Sequence, residues 1–156
     1  MTPTELVASL QEHAQLLATA ESCTGGMVAA AITDIAGSSA VFDRGFVTYS
    51  NAAKTEMLGI SARLIAAHGA VSEAVAKAMA QGALRHSSAT LAVSITGIAG
   101  PTGGSSAKPV GLVHFACATK RGQTWQDKMI FAGDRTSIRS AARDHALQML
   151  GKALIG

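Results

Sequence analysis

Residues 16–35 constrain the fold more than any other segment, because they place a short apolar run, a polar turn and a helical pattern in succession. The apolar run at residues 16–20 is bounded by polar residues and predicts a buried strand. Thr24, Gly25 and Gly26 then lead into residues 27–35, whose apolar spacing predicts a helix. A strand, a turn and a helix in this order are typical of a layered α/β fold.

The rest of the chain repeats this alternation. Helical patterns begin at the caps Thr2, Asn51, Ser72 and Asp134 and run to about residues 14, 58, 85 and 154. Strand-forming residues fill 40–49, 90–96, 110–119 and 124–132, and residues 120–123 predict a hairpin turn between the last two runs. Residues 68–70 are predicted to lie in a loop before the helix that Ser72 caps. We therefore predict a single α/β domain over residues 1–156, with three α/β/α layers and a mixed, mostly parallel sheet that includes a C-terminal antiparallel hairpin.

Composition excludes several other classes of protein. Hydrophobic residues make up 48% of the chain and charged residues only 15%, which excludes disorder and a coiled coil. No apolar stretch approaches the roughly 18 residues of a membrane span, and the N-terminus has no signal-peptide pattern, so we expect a cytoplasmic protein. Cys23 and Cys117 form no C-x-x-C and the five histidines are scattered, so we expect no disulfide framework, metal or other cofactor.

The net charge of +3 is unevenly distributed along the chain. Seven basic and three acidic side chains lie from Lys120 onward, whereas six basic and seven acidic side chains precede it. A basic surplus is typical of proteins that bind nucleic acid or an anionic membrane. Because the surplus is concentrated in the last elements, it could equally face one small anion.

The turn after the first predicted strand is the strongest candidate for a chemical site. A serine at position 22 would project at the carboxyl edge of the sheet, where α/β proteins bind ligands, and the helix amides that follow would face a developing negative charge. This placement suits a nucleophile. It differs from the G-x-S-x-G elbow, because Ala20 stands where that motif has its first glycine. The alternative is that Ser22 or Thr24 only caps the helix.

A serine nucleophile needs a base, and no histidine with an acidic partner is recognisable in the sequence. A lysine can serve if its pKa falls by about three units from about 10.4. Lys54 is the best placed, because it follows a strand predicted to neighbour the one before Ser22; the alternative is a solvated helix lysine. Ser105 and Lys108 form a literal S-x-x-K, but they lie in a loop rich in glycine and proline and lack the accompanying motifs of penicillin-binding enzymes.

Two segments of the sequence favour the binding of an anion. Arg135, Arg139 and Arg143 recur every four residues on the last predicted helix, and Arg135 lies at its start, where the helix dipole favours phosphate. The alternative for Arg139 and Arg143 is a solvated helix face. The long loop at residues 97–109 lacks the P-loop and dinucleotide motifs, although its amides could hold an anion. Only Trp125 and Phe131 lie near the basic region, which disfavours nucleic acid as a partner.

Six motifs in order along the chain resemble the C-terminal domain of the competence/damage-inducible protein CinA. They are AESCTGG at 20–26, GFVTYSN at 45–51, HGAVS at 68–72, SITGIAGP at 94–101 with Gly103-Gly104, KPVG at 108–111, and GDR at 133–135. The resemblance extends from about residue 17 to residue 150. It implies an amidohydrolase that converts the carboxamide of nicotinamide mononucleotide to the acid and releases ammonia.

The resemblance also implies a role for each matching residue. Ser22 would form an acyl-enzyme, Lys54 would take its proton, and Tyr49 would support that transfer or contact the substrate. Oxyanion or substrate hydrogen bonds would come from Thr24, Gly25 and Thr96, and the 5′-phosphate would lie on Arg135 with Ser39 or the loop at residues 100–104. The full expected set of substrate contacts is Thr24, Gly25, Ser39, Asn51, Thr96, Gly100, Gly103, Arg135 and Arg139.

The sequence leaves three candidate functions for this protein. The first is the metal-independent amidohydrolase, with a small-molecule substrate and no membrane partner. The second is a non-catalytic module that binds and senses the nucleotide. The third is the nucleic-acid binding that the name of the family suggests, although the few aromatic residues disfavour it. We also expect a homodimer or a larger homo-oligomer, because the chain is short and rich in apolar residues.

Overall fold

The computed structural model describes residues 1–156 and contains a central five-stranded sheet between two layers of helices. The strands are β1 (Leu17–Glu21), β2 (Phe42–Val47), β3 (Leu91–Gly97), β4 (Leu112–Thr119) and β5 (Thr124–Ile130). The helices are α1 (Pro3–Glu12), α2 (Met27–Thr33), α3 (Asn51–Leu58), α4 (Ala62–His68), α5 (Glu73–Arg85) and α6 (Arg135–Ile155). A short 3₁₀ turn at Ser38–Ala40 precedes β2.

The order of the strands across the sheet is β2-β1-β3-β4-β5. β1 pairs in parallel with β2 on one side and with β3 on the other. β4 is antiparallel to both β3 and β5, so four strands run in one direction and β4 alone runs in the other. The predicted mixed sheet and C-terminal hairpin are confirmed. The carboxyl ends of β1, β2 and β3 therefore lie side by side at one edge of the sheet.

Helices cover both faces of the sheet, which confirms the three predicted layers. On one face, α1, α2 and α6 pack around the strand residues Val93, Ile95 and Phe115 in the larger apolar cluster. On the other face, α3, α4 and α5 pack on Ala18 and Ala92 in a smaller cluster. The strand residues alternate between these clusters, as the two-residue repeat of a strand requires.

The helix boundaries show where local sequence signals succeeded and where they failed. Thr2 caps α1 in a capping box with Glu5, and Ser72 and Asp134 cap α5 and α6 as predicted. Asn51 was expected to cap α3, but Ser50 does so and Asn51 is the first helical residue. Helix α4 was not predicted. None of the helices is both long and apolar enough to span a membrane.

Candidate active site

A cleft of about 270 Å³ opens at the carboxyl edge of the sheet, where β1 and β3 end. Its other walls are the start of α3, the start of α6 and the glycine-rich loop at residues 98–111. Eight of the predicted site residues line this cleft: Ser22, Tyr49, Asn51, Lys54, Thr96, Gly100, Gly103 and Arg135. The remaining four, Thr24, Gly25, Ser39 and Arg139, do not line it.

Ser22 and Lys54 meet inside the cleft although 32 residues separate them in the sequence. Lys54 Nζ lies 3.1 Å from Ser22 Oγ and donates to the Thr48 carbonyl at 2.8 Å. The parallel pairing of β1 and β2 produces this contact, because Ser22 directly follows β1 and Lys54 lies on α3 after β2. Ser22 does not cap α2, whose N-cap residue is Gly26, so the interpretation of Ser22 as a helix cap is wrong.

Lys54 is an unusual lysine because it is almost fully buried. Only 1% of the residue is exposed, against 8% for Ser22, so Lys54 is not a solvated helix lysine. Burial lowers the pKa of Lys54 below its usual value of 10.5. No carboxylate forms a salt bridge with it to restore the charged state. A neutral amine at this position can accept a proton from Ser22 while it donates to the Thr48 carbonyl.

The turn after Ser22 leaves the amide of Cys23 available to a ligand in the cleft. The Gly25 N–H donates to the Ser22 carbonyl at 3.0 Å, and the Met27 N–H donates to the Thr24 carbonyl at 3.1 Å. The N–H groups of Cys23, Thr24 and Gly26 have no acceptor within the chain, and of these three residues only Cys23, which directly follows the candidate nucleophile, lines the cleft. In serine enzymes with a strand-turn-helix nucleophile, the amide of the residue that directly follows the nucleophile binds the oxyanion.

Glu21 is the site residue that sequence reasoning missed. It is fully buried at the end of β1, and its two carboxylate oxygens accept the N–H groups of Val28 at 2.9 Å and Ala29 at 3.0 Å. Glu21 thus satisfies the first turn of α2, a task usually performed by an N-cap side chain. An acidic residue between an apolar strand and a glycine pair is the signal that could have revealed it.

Arg135 and Tyr49 form a bridge across the mouth of the cleft. Arg135 donates to the Gly100 carbonyl at 2.8 Å and to the Tyr49 hydroxyl at 2.9 Å. Tyr49 is 61% exposed, and its hydroxyl contacts Arg135 rather than Ser22 or Lys54. This geometry fits the predicted contact with a substrate better than the predicted support of proton transfer.

Three further predictions need correction or refinement. Ser39 lies before the amino end of β2, whereas the cleft lies at the carboxyl ends, about 20 Å away along a six-residue strand. The Thr96 hydroxyl donates to the Ala70 carbonyl at 2.8 Å, so its proton is already used. Thr24 is fully buried and does not line the cleft, and its hydroxyl has no partner, so the structure does not bring Thr24 to the substrate side.

Arg139 and Gly25 also act away from the substrate side. The Arg139 guanidinium donates to the carbonyls of Cys23 and Thr24, so it neither lines the cleft nor forms a solvated face. Gly25 lies against it, with a positive φ of +58°. Arg143, one turn later, pairs with exposed Asp144 as expected for a solvated face.

Cys23, the neighbour of Ser22, lines the cleft but is poorly suited to act as the nucleophile. Burial raises its pKa to about 11, so the thiol keeps its proton at neutral pH. The reactive form of a cysteine is the thiolate. Ser22, with an amine beside its hydroxyl, is therefore the better nucleophile of the two.

Comparisons with known proteins agree with these observations. The family model of the CinA C-terminal domain matches residues 2–154. The nicotinamide-nucleotide amidohydrolase PncC of Shigella flexneri is 57% identical over 144 residues, which cover 91% of this chain and 86% of that protein. The competence/damage-inducible protein CihA of Agrobacterium tumefaciens is 48% identical, and its crystal structure superposes with a TM-score of 0.95 over 99% of this chain and 93% of that one. The chain belongs to the CinA C-terminal domain family.

Proposed function

We propose that this protein hydrolyses the carboxamide of nicotinamide mononucleotide to nicotinic acid mononucleotide and ammonia, with Ser22 as nucleophile and Lys54 as base. The observation that carries the proposal is the buried hydrogen bond between Ser22 and Lys54 at the wall of the cleft. The activity named for the 57% identical relative supplies the reaction class. The Ser22–Lys54 chemistry rests on this chain's own geometry.

The first half of the reaction forms an acyl-enzyme. Neutral Lys54 takes the Ser22 hydroxyl proton as Oγ attacks the carboxamide carbon. The amide of Cys23, which lines the cleft, stabilises the negative charge that develops on the carboxamide oxygen. The C–N bond then breaks, and the proton on Lys54 passes to the departing nitrogen, which leaves as ammonia. Lys54 is neutral again at the end of this half-reaction.

The second half releases the acid. Lys54 removes a proton from a water molecule, the hydroxide attacks the ester carbon, and the Cys23 amide holds the second oxyanion. The ester C–O bond breaks and the proton returns from Lys54 to Ser22 Oγ. The product is nicotinic acid mononucleotide, and the enzyme regains its starting protonation state.

The mouth of the cleft supplies contacts for the rest of the substrate. Arg135 is cationic and lies at the N-terminus of α6, where the helix dipole adds positive potential, so it suits the 5′-phosphate. The Tyr49 hydroxyl accepts from Arg135 and keeps its own proton free to donate to the same anion. The cationic pyridinium ring would lie near Lys54 and disfavour the charged form of that amine.

The experiment measures ammonia and product formation from nicotinamide mononucleotide, nicotinamide riboside and nicotinamide with the purified protein. We expect the phosphorylated substrate to be preferred, and we expect Ser22→Ala to abolish turnover. Ser105→Ala, in the exposed loop, is the matched control and should retain wild-type activity. Mass spectrometry of acid-quenched wild-type protein should find the acyl group on the peptide that contains Ser22.

Two results would contradict the proposal. Full turnover in Ser22→Ala would remove Ser22 as the nucleophile. Tight binding of nicotinamide mononucleotide without release of ammonia would instead identify a nucleotide-binding module without catalysis.

A further inference from the structure

Glu21 has a buried carboxylate to which the proposed reaction gives no role. It is the last residue of β1, and none of it is exposed. No lysine, arginine or histidine forms a salt bridge with it. Its two oxygens instead accept the N–H groups of Val28 at 2.9 Å and Ala29 at 3.0 Å, in the first turn of α2. Two charge-assisted hydrogen bonds to backbone therefore take the place of a cationic partner.

The carboxylate of Glu21 replaces the side chain that normally caps a helix. Val28 and Ala29 occupy the N2 and N3 positions of α2, whose amides an N-cap serine or threonine ordinarily binds. The N-cap residue here is Gly26, which has no side chain for this purpose. Glu21 binds these amides from the other end of the turn, so the Ser22 hydroxyl is not used as a cap and remains available to the amine beside it.

The backbone of Glu21 belongs to the same ring of contacts as the serine–lysine pair. The Glu21 carbonyl accepts the Thr48 N–H at 2.9 Å, and the Thr48 carbonyl accepts Lys54 Nζ at 2.8 Å. Lys54 Nζ in turn lies 3.1 Å from the hydroxyl of Ser22, the residue that directly follows Glu21. The Glu21 side chain therefore joins α2 to the ring of contacts that holds Ser22 against Lys54.

We propose that Glu21 is a positioning residue, which holds Ser22 in place by binding the start of α2 across the turn at residues 22–26; this inference rests on the proposed amidohydrolase function. Without the carboxylate, two unpaired amides at the start of α2 would compete with Lys54 for the Ser22 hydroxyl. The Ser22 N–H also donates to the Ile95 carbonyl at 2.9 Å, so β1 should stay in the sheet. Glu21 does not line the cleft, so its loss should slow the chemical step and leave substrate binding intact.

The test compares variants of the full chain by steady-state kinetics with nicotinamide mononucleotide, at a temperature where thermal unfolding shows each variant to be folded. Glu21→Gln keeps the shape of the side chain but has one acceptor oxygen, and its NH₂ group would face a backbone N–H. Its kcat should fall about 100-fold, the cost of a displacement of about 1 Å, and its KM should stay within about twofold.

Glu5→Gln is the matched control, because the Glu5 carboxylate also binds a backbone N–H at the start of a helix but lies outside the cleft. Both variants lose part of a helix cap, so both should be less stable than wild type. Only Glu21→Gln should lose kcat, since only Glu21 precedes the candidate nucleophile. A loss of kcat in Glu5→Gln as large as that in Glu21→Gln would overturn the inference.

A second variant, Glu21→Asp, decides the question if Glu21→Gln does not fold. It keeps the charge, but its side chain is one methylene shorter and should lose at least one of the two hydrogen bonds to α2. Its kcat should fall by at least about tenfold, again with KM within about twofold.

Crystal structures of the wild type and of the folded Glu21 variants supply a readout that does not depend on activity. We expect Ser22 Oγ to move out of hydrogen-bond distance of Lys54 Nζ in the variants. An Oγ–Nζ distance that stays near the 3.1 Å of the native chain, or a kcat that falls by less than about threefold, would overturn the inference. Absence of ammonia release from the wild type would instead overturn the proposed function, and the Oγ–Nζ distance would still decide the role of Glu21.

Discussion

The chain contains two serine–lysine pairs that differ in almost every physical respect. Ser22 and Lys54 are distant in the sequence, buried, and joined through their side chains at 3.1 Å. Ser105 and Lys108 are only three residues apart, and their side chains do not meet. The Lys108 amine instead donates to the His68 carbonyl at 2.7 Å, and the Ser105 hydroxyl accepts the Lys108 backbone N–H.

The difference shows that surroundings, and not spacing in the sequence, produce a reactive serine–lysine pair. Lys54 is surrounded by protein, which disfavours its charge and frees its lone pair for a proton. The surroundings of Lys108 stabilise its charge, because the dipole of α4 favours a cation at the carbonyl end of that helix. Lys108 therefore fastens the glycine-rich loop to α4 and has no part in the proposed chemistry.

The largest effect that separates the two pairs is expected on turnover. Lys54→Met should lower kcat by about 1000-fold, because it removes the only base that contacts Ser22. Lys108→Met should change kcat by no more than about twofold, as expected of a surface contact. Both constants are measured by ammonia release, with thermal unfolding as the control for folding. A comparable loss in both variants would erase the distinction between the pairs.

A smaller effect is expected on the pH dependence of the rate. Lys54 must be neutral to act, so the rate should rise with pH, about tenfold per unit on the acid side, and level off as Lys54 loses its proton. The midpoint should lie below 10.5, because burial lowers the pKa of Lys54. It should be lower for kcat than for kcat/KM, since the bound pyridinium repels a charged amine. A midpoint at or above 10.5 would contradict Lys54 as the base, and Lys108→Met should leave the profile unchanged.

The smallest effect is expected on stability and its dependence on pH. The folded pKa of Lys54 is depressed, so the unfolded chain binds a proton more readily than the folded chain as the pH falls below 10.5. The contribution to stability is present above 10.5 and is lost as the pH falls through the folded pKa. If the pKa of Lys54 is lower by one in the folded chain than in the unfolded chain, the loss of stability is about 1.4 kcal/mol.

Lys54→Met removes this pH dependence. The variant should therefore gain stability relative to wild type as the pH falls: its free energy of unfolding minus that of wild type should be more positive at pH 7 than at pH 10, as measured by urea unfolding. Lys108→Met serves as the control for the loss of one positive charge. A difference between Lys54→Met and wild type that is equal at both pH values would contradict a depressed pKa of Lys54.

Much of the fold was predictable, because its signals are local. Caps such as Thr2 and Asp134 stop the chain at defined residues, and apolar runs mark the buried strands. Helix α4 escaped prediction because it has only seven residues, and its Ser61 cap makes no side-chain hydrogen bond. The placement of Ser22 after β1 followed from the strand-turn-helix pattern, and its partner followed from the expected pairing of β1 and β2.

The arginine stripe on α6 shows the limit of such patterns. Equal spacing predicts one common face, yet the three side chains have different partners. Arg135 spans the cleft mouth, Arg139 holds the turn after Ser22, and Arg143 pairs with its neighbour Asp144. Spacing sets the direction of each side chain, whereas the packing of α6 along α2 and the sheet sets what each one meets.

The sequence by itself determined the succession of strands and helices, the position of the nucleophile turn and the family, because capping, periodicity and motifs are carried by neighbouring residues. Tertiary structure alone decided that Lys54 is buried and Lys108 is not, that Glu21 caps α2, and that Arg139 binds backbone. The reason is physical. Burial and long-range hydrogen bonds depend on which strands become neighbours, and a lysine's surroundings decide its charge.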